Sequence, residues 1–220
     1  MKKVPDNICE IVVVRHGQTE SNRTGTLQGQ LDTPLDELGI LQAQAVAKRL
    51  KKWQFDAVYS SDLGRAMNTA KAIVQYHSDL QITPTAALRE WNLGDLQGQK
   101  LEILRQEQPE IMRAFREEMA DKAIPGGESL REFQKRVSDF LNTLPPQYSG
   151  KRVLLVSHGG ALQRILRHCT GGIDATNVKP FCGNTGLSIF RCKDQQVWQL
   201  VTWNDQAHLE DLEQNELLAL

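Results

Sequence analysis

Two stretches of this chain set reactive side chains directly behind an apolar, mostly β-branched run. In the first, Ile11-Val12-Val13-Val14 stops abruptly at Arg15-His16-Gly17. In the second, Val153-Leu154-Leu155-Val156 ends in Ser157-His158-Gly159-Gly160. A short apolar run of this kind reads as a strand buried on both faces, the habit of a parallel sheet. In open α/β sheets, ligands gather just beyond the carboxyl ends of the strands. One His-Gly pair after a core strand is most simply a polar turn. Two of them, at matching strand ends far apart in sequence, can bring two imidazoles to one sheet edge. Gly17 permits tight turning and close approach of a ligand. A further cation, Arg65, follows Ser60-Ser61-Asp62 in the first turn of an expected helix, where the helix dipole disfavours positive charge. A guanidinium added to a helix N-terminus makes a strong phosphate site. Taken alone, a surface arginine reaching a nearby acid is the simpler account of Arg65.

The elements that must position these groups follow from the hydrophobic pattern. Phe55–Tyr59 and Leu80–Ile82 read as further strands, and Leu187–Phe190 and Val197–Val201 as a closing hairpin through residues 193–196. Asp36 is placed as the N-cap of a helix with Leu38, Leu41, Ala45, Val46, Leu50 and Trp53 on its stripe. A second helix runs from Leu63 through Ala66, Met67, Ala70, Ile73 and Val74. Residues 99–124 are charged and read as two short helices about Pro109, with Leu101, Leu104, Ile111, Met112, Phe115 and Met119 as apolar members. After the turn Pro125-Gly126-Gly127-Glu128, Ser129 and Glu132 form a capping box, and Pro145-Pro146 is expected to end that helix. The last helix opens at Gly159-Gly160, aiming backbone N–H groups at the sheet edge, and ends at Gly171-Gly172.

The motif Arg15-His16-Gly17-Gln18-Thr19-Glu20-Ser21-Asn22 resembles the Arg-His-Gly-x-Thr-x-x-Asn signature of the histidine phosphatase superfamily, branch 1, the phosphoglycerate mutase-like fold. The resemblance continues, in the family's order, through Ser60–Ala66, Leu88-Arg89-Glu90 and Ser157–Gly160. It implies one domain over residues 1–220, an α/β/α three-layer sandwich with a mostly parallel central sheet, and a helical roof insertion at about 99–124. It implies hydrolysis of a small phosphorylated metabolite. A phosphate monoester carries about two negative charges near neutrality. Arg15, Arg65, Asn22 and His158 would hold it, joined by Gln28 and the Gly159 backbone N–H.

Chemistry alone does not choose between His16 and His158 as nucleophile; the resemblance assigns His16, through a phosphohistidine that divides one hard step into two. Glu90, where the pattern shifts from strand-like to loop-like, would protonate the leaving alkoxide and then activate water. Two arginines and a protonated imidazole could neutralise the transferring group without a metal or other cofactor, and no Walker loop or clustered Asp motif argues for magnesium. The alternative within the family is a cofactor-dependent phosphoglycerate mutase, which the compact insertion disfavours. A non-catalytic module is disfavoured because every catalytic residue type is present. Phosphoserine, 3-phosphoglycerate, sugar phosphates and α-ribazole phosphate all suit relatives of this size. The segment Trp203–Leu209 is similar to the ends of bacterial relatives that cleave such esters.

Composition sets the outer bounds. The chain has 220 residues, 26 basic and 27 acidic, for a formal net charge of -1. Such a balance gives no electrostatic footprint for nucleic acid or an acidic membrane. No run approaches the roughly 20 apolar residues that span a bilayer. Pro5, Asp6, Asn7 and Glu10 interrupt what would have to be a signal segment. Cys9, Cys169, Cys182 and Cys192 form no Cys-x-x-Cys pair and read as reduced thiols acting as small hydrophobes. A soluble, cytoplasmic protein is expected, with a homodimer left open. The acidic tail from His208 is read as a frayed end.

Overall fold

The computed structural model describes residues 3–107, 109, 120–171, 180–195, 197–210 and 212. Its centre is a six-stranded sheet of β1 (Ile8–Arg15), β2 (Ala57–Ser61), β3 (Ile82–Thr85), β4 (Arg152–Ser157), β5 (Leu187–Lys193) and β6 (Val197–Asp205), in the order β3-β2-β4-β1-β5-β6. The first four strands run parallel, and β5 and β6 are antiparallel additions at one side. All six residues of β4 are buried, as its unbroken apolar run requires. The strand expected at Leu80–Ile82 lies two residues later. Its residues Pro84 and Thr85 pair with Ser60 and Ser61, and an edge strand tolerates proline because one of its sides needs no N–H.

Alternation along the strands decides the two layers. Val12 and Val14 face α2 (Glu37–Leu50) and α3 (Gly64–Val74), packing with Val46, Leu50, Ala70 and Ile73. Ile11 and Val13 face the opposite side, packing with Phe133, Val137 and Leu141 of α5 (Leu130–Gln147) and Leu162 and Ile165 of α6 (Gly159–Thr170). The short helices are α1 (Glu20–Arg23) and α4 (Leu101–Glu107), the latter anchored by the buried Leu104. Ile111, Met112, Phe115 and Met119 of the expected roof, and the tail beyond Leu212, lie outside the described residues.

Local signals hold where they are local. Asp36 caps α2, accepting the Gly39 N–H at 2.7 Å. Ser129 and Glu132 form the capping box of α5. Pro145 and Pro146 do not end α5 but sit in its last turn, which closes with the Tyr148 N–H on the Leu144 carbonyl. Proline's fixed φ is itself helical, and near the helix end little hydrogen bonding is lost. The α6 helix stops at Gly171 in the left-handed conformation, φ 71°. Cys9, Cys169, Cys182 and Cys192 are all free and buried. Among the described residues no helix is long and apolar enough to cross a membrane.

Candidate active site

The parallel pairing of β1 with β4 sets Arg15 opposite Ser157, so the next residue of each strand is a histidine. The His16 and His158 rings lie with centroids 5.0 Å apart and planes at 58°. Both side chains are buried, at 2% and 0% exposure. The His16 N–H donates to the Ser157 carbonyl at 2.9 Å, tying the two strand ends together.

Partners fix the state of each ring. His16 Nδ1 lies 2.6 Å from the Gly17 carbonyl, which can only accept, so Nδ1 carries the proton and Nε2 keeps its lone pair. Burial, with Arg15 and Arg65 adding to it, holds the His16 pKa well below the usual histidine value. His158 Nδ1 accepts from Arg65 Nε at 3.2 Å, and its Nε2 lies 2.8 Å from Ser61 Oγ. An arginine only donates, so the His158 proton is on Nε2. Burial, then Arg65 and His16, depress its pKa in the same direction. With Arg65 donating to Nδ1 and the one proton on Nε2, the His158 ring is neutral in this arrangement. The positive charge of the site comes from its two arginines.

Those arginines are held differently. Arg65 is fully buried, and it donates to the Leu31 carbonyl at 2.6 Å, to the Gly29 carbonyl at 2.7 Å and to His158. Burial lowers its pKa to about 10, with Glu90 and Asp32 opposing, which leaves it a cation at neutral pH. The Gly64 N–H at the start of α3, expected to help bind an anion, is capped instead by Asp32 at 2.6 Å. Arg15 donates one terminal N–H to the Cys182 carbonyl at 2.5 Å, while its buried Nε has no partner among the described residues. A Cβ on Gly159 would stand 3.4 Å from that Nε, so the start of α6 lies against the guanidinium.

The remaining expected residues gather around the same space. Asn22 Oδ1 accepts from Thr19 and Asn184, which leaves its amide NH2 as the end open to a ligand. Gln28 Oε1 accepts the Thr33 hydroxyl, with the same consequence. Glu90 accepts the Trp91 N–H at 2.9 Å on Oε1 and the Gly160 N–H at 2.9 Å on Oε2. A Cβ on Gly160 would come within 2.2 Å of Glu90 Oε1, so any side chain there would displace the carboxylate. Gly17 is needed for a different reason than ligand approach. A Cβ there would meet the Gly39 carbonyl oxygen at 2.3 Å, because the first turn of α2 packs directly on the His16–Gly17 backbone.

Arg15, His16, Asn22, Gln28, Arg65 and Glu90 line one cavity of about 330 Å³; Leu27, Trp91, Leu93, Leu130 and Phe133 form an apolar wall, and Gln163 and Arg164 complete it one helical turn beyond Gly160. Among the described residues no group of three or more His, Cys, Asp or Glu is arranged to hold a metal ion.

Several contributors escape sequence reasoning. Ser61 holds His158, and only its place at a strand end beside Arg65 hinted at it. Arg136 donates to the carbonyls of Ala87, Arg89 and Glu90 and to Glu128 at 2.6 Å, clamping the loop that carries Glu90. Gln30 Nε2 donates to the same Glu90 carbonyl at 3.1 Å. Asn184 donates to the His16 carbonyl at 3.0 Å.

The model of the histidine phosphatase superfamily (branch 1) matches residues 11–206. The chain belongs to that superfamily. Among curated members of the superfamily, it is 38% identical over 205 residues to a phosphoglycerate mutase-like protein 4 of Arabidopsis thaliana, covering 92% of this chain and 88% of the relative. It is 36% identical over 212 residues to a metal-independent phosphoserine phosphatase of the same plant, covering 96% and 87%. Among solved members, a mycobacterial glucosyl-3-phosphoglycerate phosphatase complexed with VO3 superposes with a TM-score of 0.78 at 33% identity, over 89% of this chain and 98% of that one.

Proposed function

We propose that this chain is a metal-independent phosphatase that hydrolyses small phosphate monoesters through a phosphohistidine on His16. The observation that carries this reading is the bare Nε2 of a neutral His16 on the floor of a cavity lined by Arg15 and Arg65. Arg15 Nε, the free donors of Arg65, the amides of Asn22 and Gln28 and the Gly159 N–H hold the phosphoryl oxygens. His158, its ring centroid 5.0 Å from that of His16, is held by Ser61 and holds Arg65 Nε, and so orients the Arg65 donors beside the nucleophile. The His16 Nε2 lone pair forms the N–P bond as the ester P–O bond breaks. Glu90 passes a proton to the leaving alkoxide. It then takes one from the water that attacks phosphohistidine, which releases orthophosphate and restores both groups. A cavity of about 330 Å³ sits at the small end of ligand sites, suited to a metabolite rather than a phosphorylated protein. The four buried, unpaired thiols fit a reducing, cytoplasmic setting.

A screen of phosphorylated metabolites by phosphate release tests this, with His16→Ala as the blank. Release by wild type that resists EDTA and is abolished by orthovanadate is the expected result. Loss of turnover on chelation overturns the metal-free mechanism. The name of the mutase-like relative favours a second reading, phosphoryl return to the substrate. Fast isomerisation of 3-phosphoglycerate with trace 2,3-bisphosphoglycerate, without phosphate release, would select it.

A further inference from the structure

The segment Trp203–Leu209 is anchored to the core by Trp203 and the buried Leu209, and three of its polar side chains, those of Asn204, Gln206 and His208, turn to one loop, residues 182–186. Asn204 Oδ1 accepts the Gly183 N–H at 2.8 Å. Gln206 Nε2 donates to the Asn184 carbonyl at 3.1 Å, and Asn204 Nδ2 donates to Gln206 Oε1 at 3.3 Å. His208 Nε2 lies 3.1 Å from Thr185 Oγ1. Room for this approach comes from two glycines: a Cβ on Gly183 would meet Gln206 Nε2 at 2.3 Å, and one on Gly186 would meet Asn204 Oδ1 at 2.1 Å.

The loop in turn holds the nucleophile's backbone. The Thr185 N–H is shared between the Arg15 and His16 carbonyls at 3.1 and 3.3 Å. Asn184 Nδ2 bridges the His16 carbonyl and Asn22 Oδ1, at 3.0 and 3.2 Å. The Cys182 carbonyl receives the Arg15 guanidinium. So a single five-residue loop touches three groups of the cavity, and the tail touches that loop at three points.

The backbone is strained where the two meet. Thr185 has φ 53° and Asn204 has φ 51°. A β-branched residue in the left-handed region is an outlier that persists only where its surroundings over-determine it. Here the surroundings are the shared N–H on one side and His208 on the other. Burial lowers the His208 pKa to about 4, so the ring stays neutral through the ordinary range and its contact with Thr185 does not switch.

We propose that Asn204, Gln206 and His208 are positioning residues of the phosphoryl site, acting through residues 182–186 to fix Arg15, His16 and Asn22. The proposal rests on the reading of the cavity as a phosphoryl pocket. None of the three touches the cavity; their effect is on the geometry of groups that do.

Two variants of Asn204 separate positioning from bulk stability. Asn204→Gly keeps the left-handed backbone and removes the amide; Asn204→Asp keeps an oxygen for the Gly183 N–H. Orthovanadate affinity and the kcat and KM for phosphate release are measured for both. The expected result is about tenfold weaker vanadate binding and a higher KM in Asn204→Gly, with Asn204→Asp within about twofold of wild type. Hydrogen exchange of the Thr185 amide gives a readout that needs no turnover, and it should speed up in Asn204→Gly alone. A lower Tm in Asn204→Gly with unchanged vanadate affinity and unchanged Thr185 exchange overturns the proposal. Wild type that fails to bind vanadate overturns the phosphatase reading instead, while Thr185 exchange still decides whether the tail orders the loop.

Discussion

At the end of β1 the imidazole of His16 has one nitrogen held and one bare; at the end of β4 the imidazole of His158 has both nitrogens held. The two strand ends share a sequence plan, an apolar run followed by His-Gly. Their difference comes from neighbours supplied by other elements. Among the described residues, the His16 ring is hydrogen-bonded only by its own next carbonyl, a local contact. The His158 ring is gripped by Arg65 from α3 and Ser61 from β2. The same residue type is thus left reactive in one place and made a structural strut in the other, by what is packed beside it.

The largest expected effect separates the two rings directly. His16→Ala should reduce phosphate release by about 10⁴-fold or more, the loss typical of a covalent nucleophile. His158→Ala should cost about 10²–10³-fold, because it frees the Arg65 guanidinium that stabilises charge from its anchor. Steady-state kcat for the two purified variants decides it. Equal losses would break the distinction drawn between the rings.

A smaller effect tests Glu90 against the same frame. Gly160→Ala places a methyl where the Glu90 carboxylate now sits, yet touches neither histidine. Release should fall by about 10²-fold, the scale of a displaced general acid. Burst kinetics that show a normal phosphoenzyme step with slowed turnover would locate the loss in the second half-reaction. Unchanged kcat would mean that Glu90 carries no proton.

The smallest effect is on stability. Both histidines have folded pKa values below the unfolded one, so between those values the unfolded chain binds more protons. Their contribution is therefore complete above about pH 6.5 and is lost as pH falls towards the folded values. Each ring adds a slope of up to about 1.4 kcal/mol per pH unit below that point. Thermal melts between pH 7.5 and 5.5 should show Tm falling with acid, and falling less steeply in His16→Gln and in His158→Gln. A slope that both variants share with wild type would show the rings to be protonated in the folded protein.

Much of the sheet and its helices could be read from the chain because the signals are short-range. The apolar runs of β1 and β4, the Asp36 cap and the Ser129–Glu132 box each span four residues or so. The two histidines could be paired because both strand ends carry the same dipeptide, His-Gly. What could not be read arises from contacts between distant residues: Ser61 with His158, Arg136 with the Glu90 loop, Asn184 with His16. Nothing at those positions marks a partner, since a serine or an arginine on a helix face has the same local pattern whatever it meets. Burial, and then the nearness of Arg65, lower the His158 pKa, and both arise only after folding.

The unmatched Nε–H of Arg15 has a consequence for the idle protein. A buried donor without an acceptor costs about 1–3 kcal/mol. In the proposed phosphatase, a phosphoryl oxygen that accepts this N–H offsets that cost on binding. Part of the proposed affinity is then stability that the fold gave up in advance.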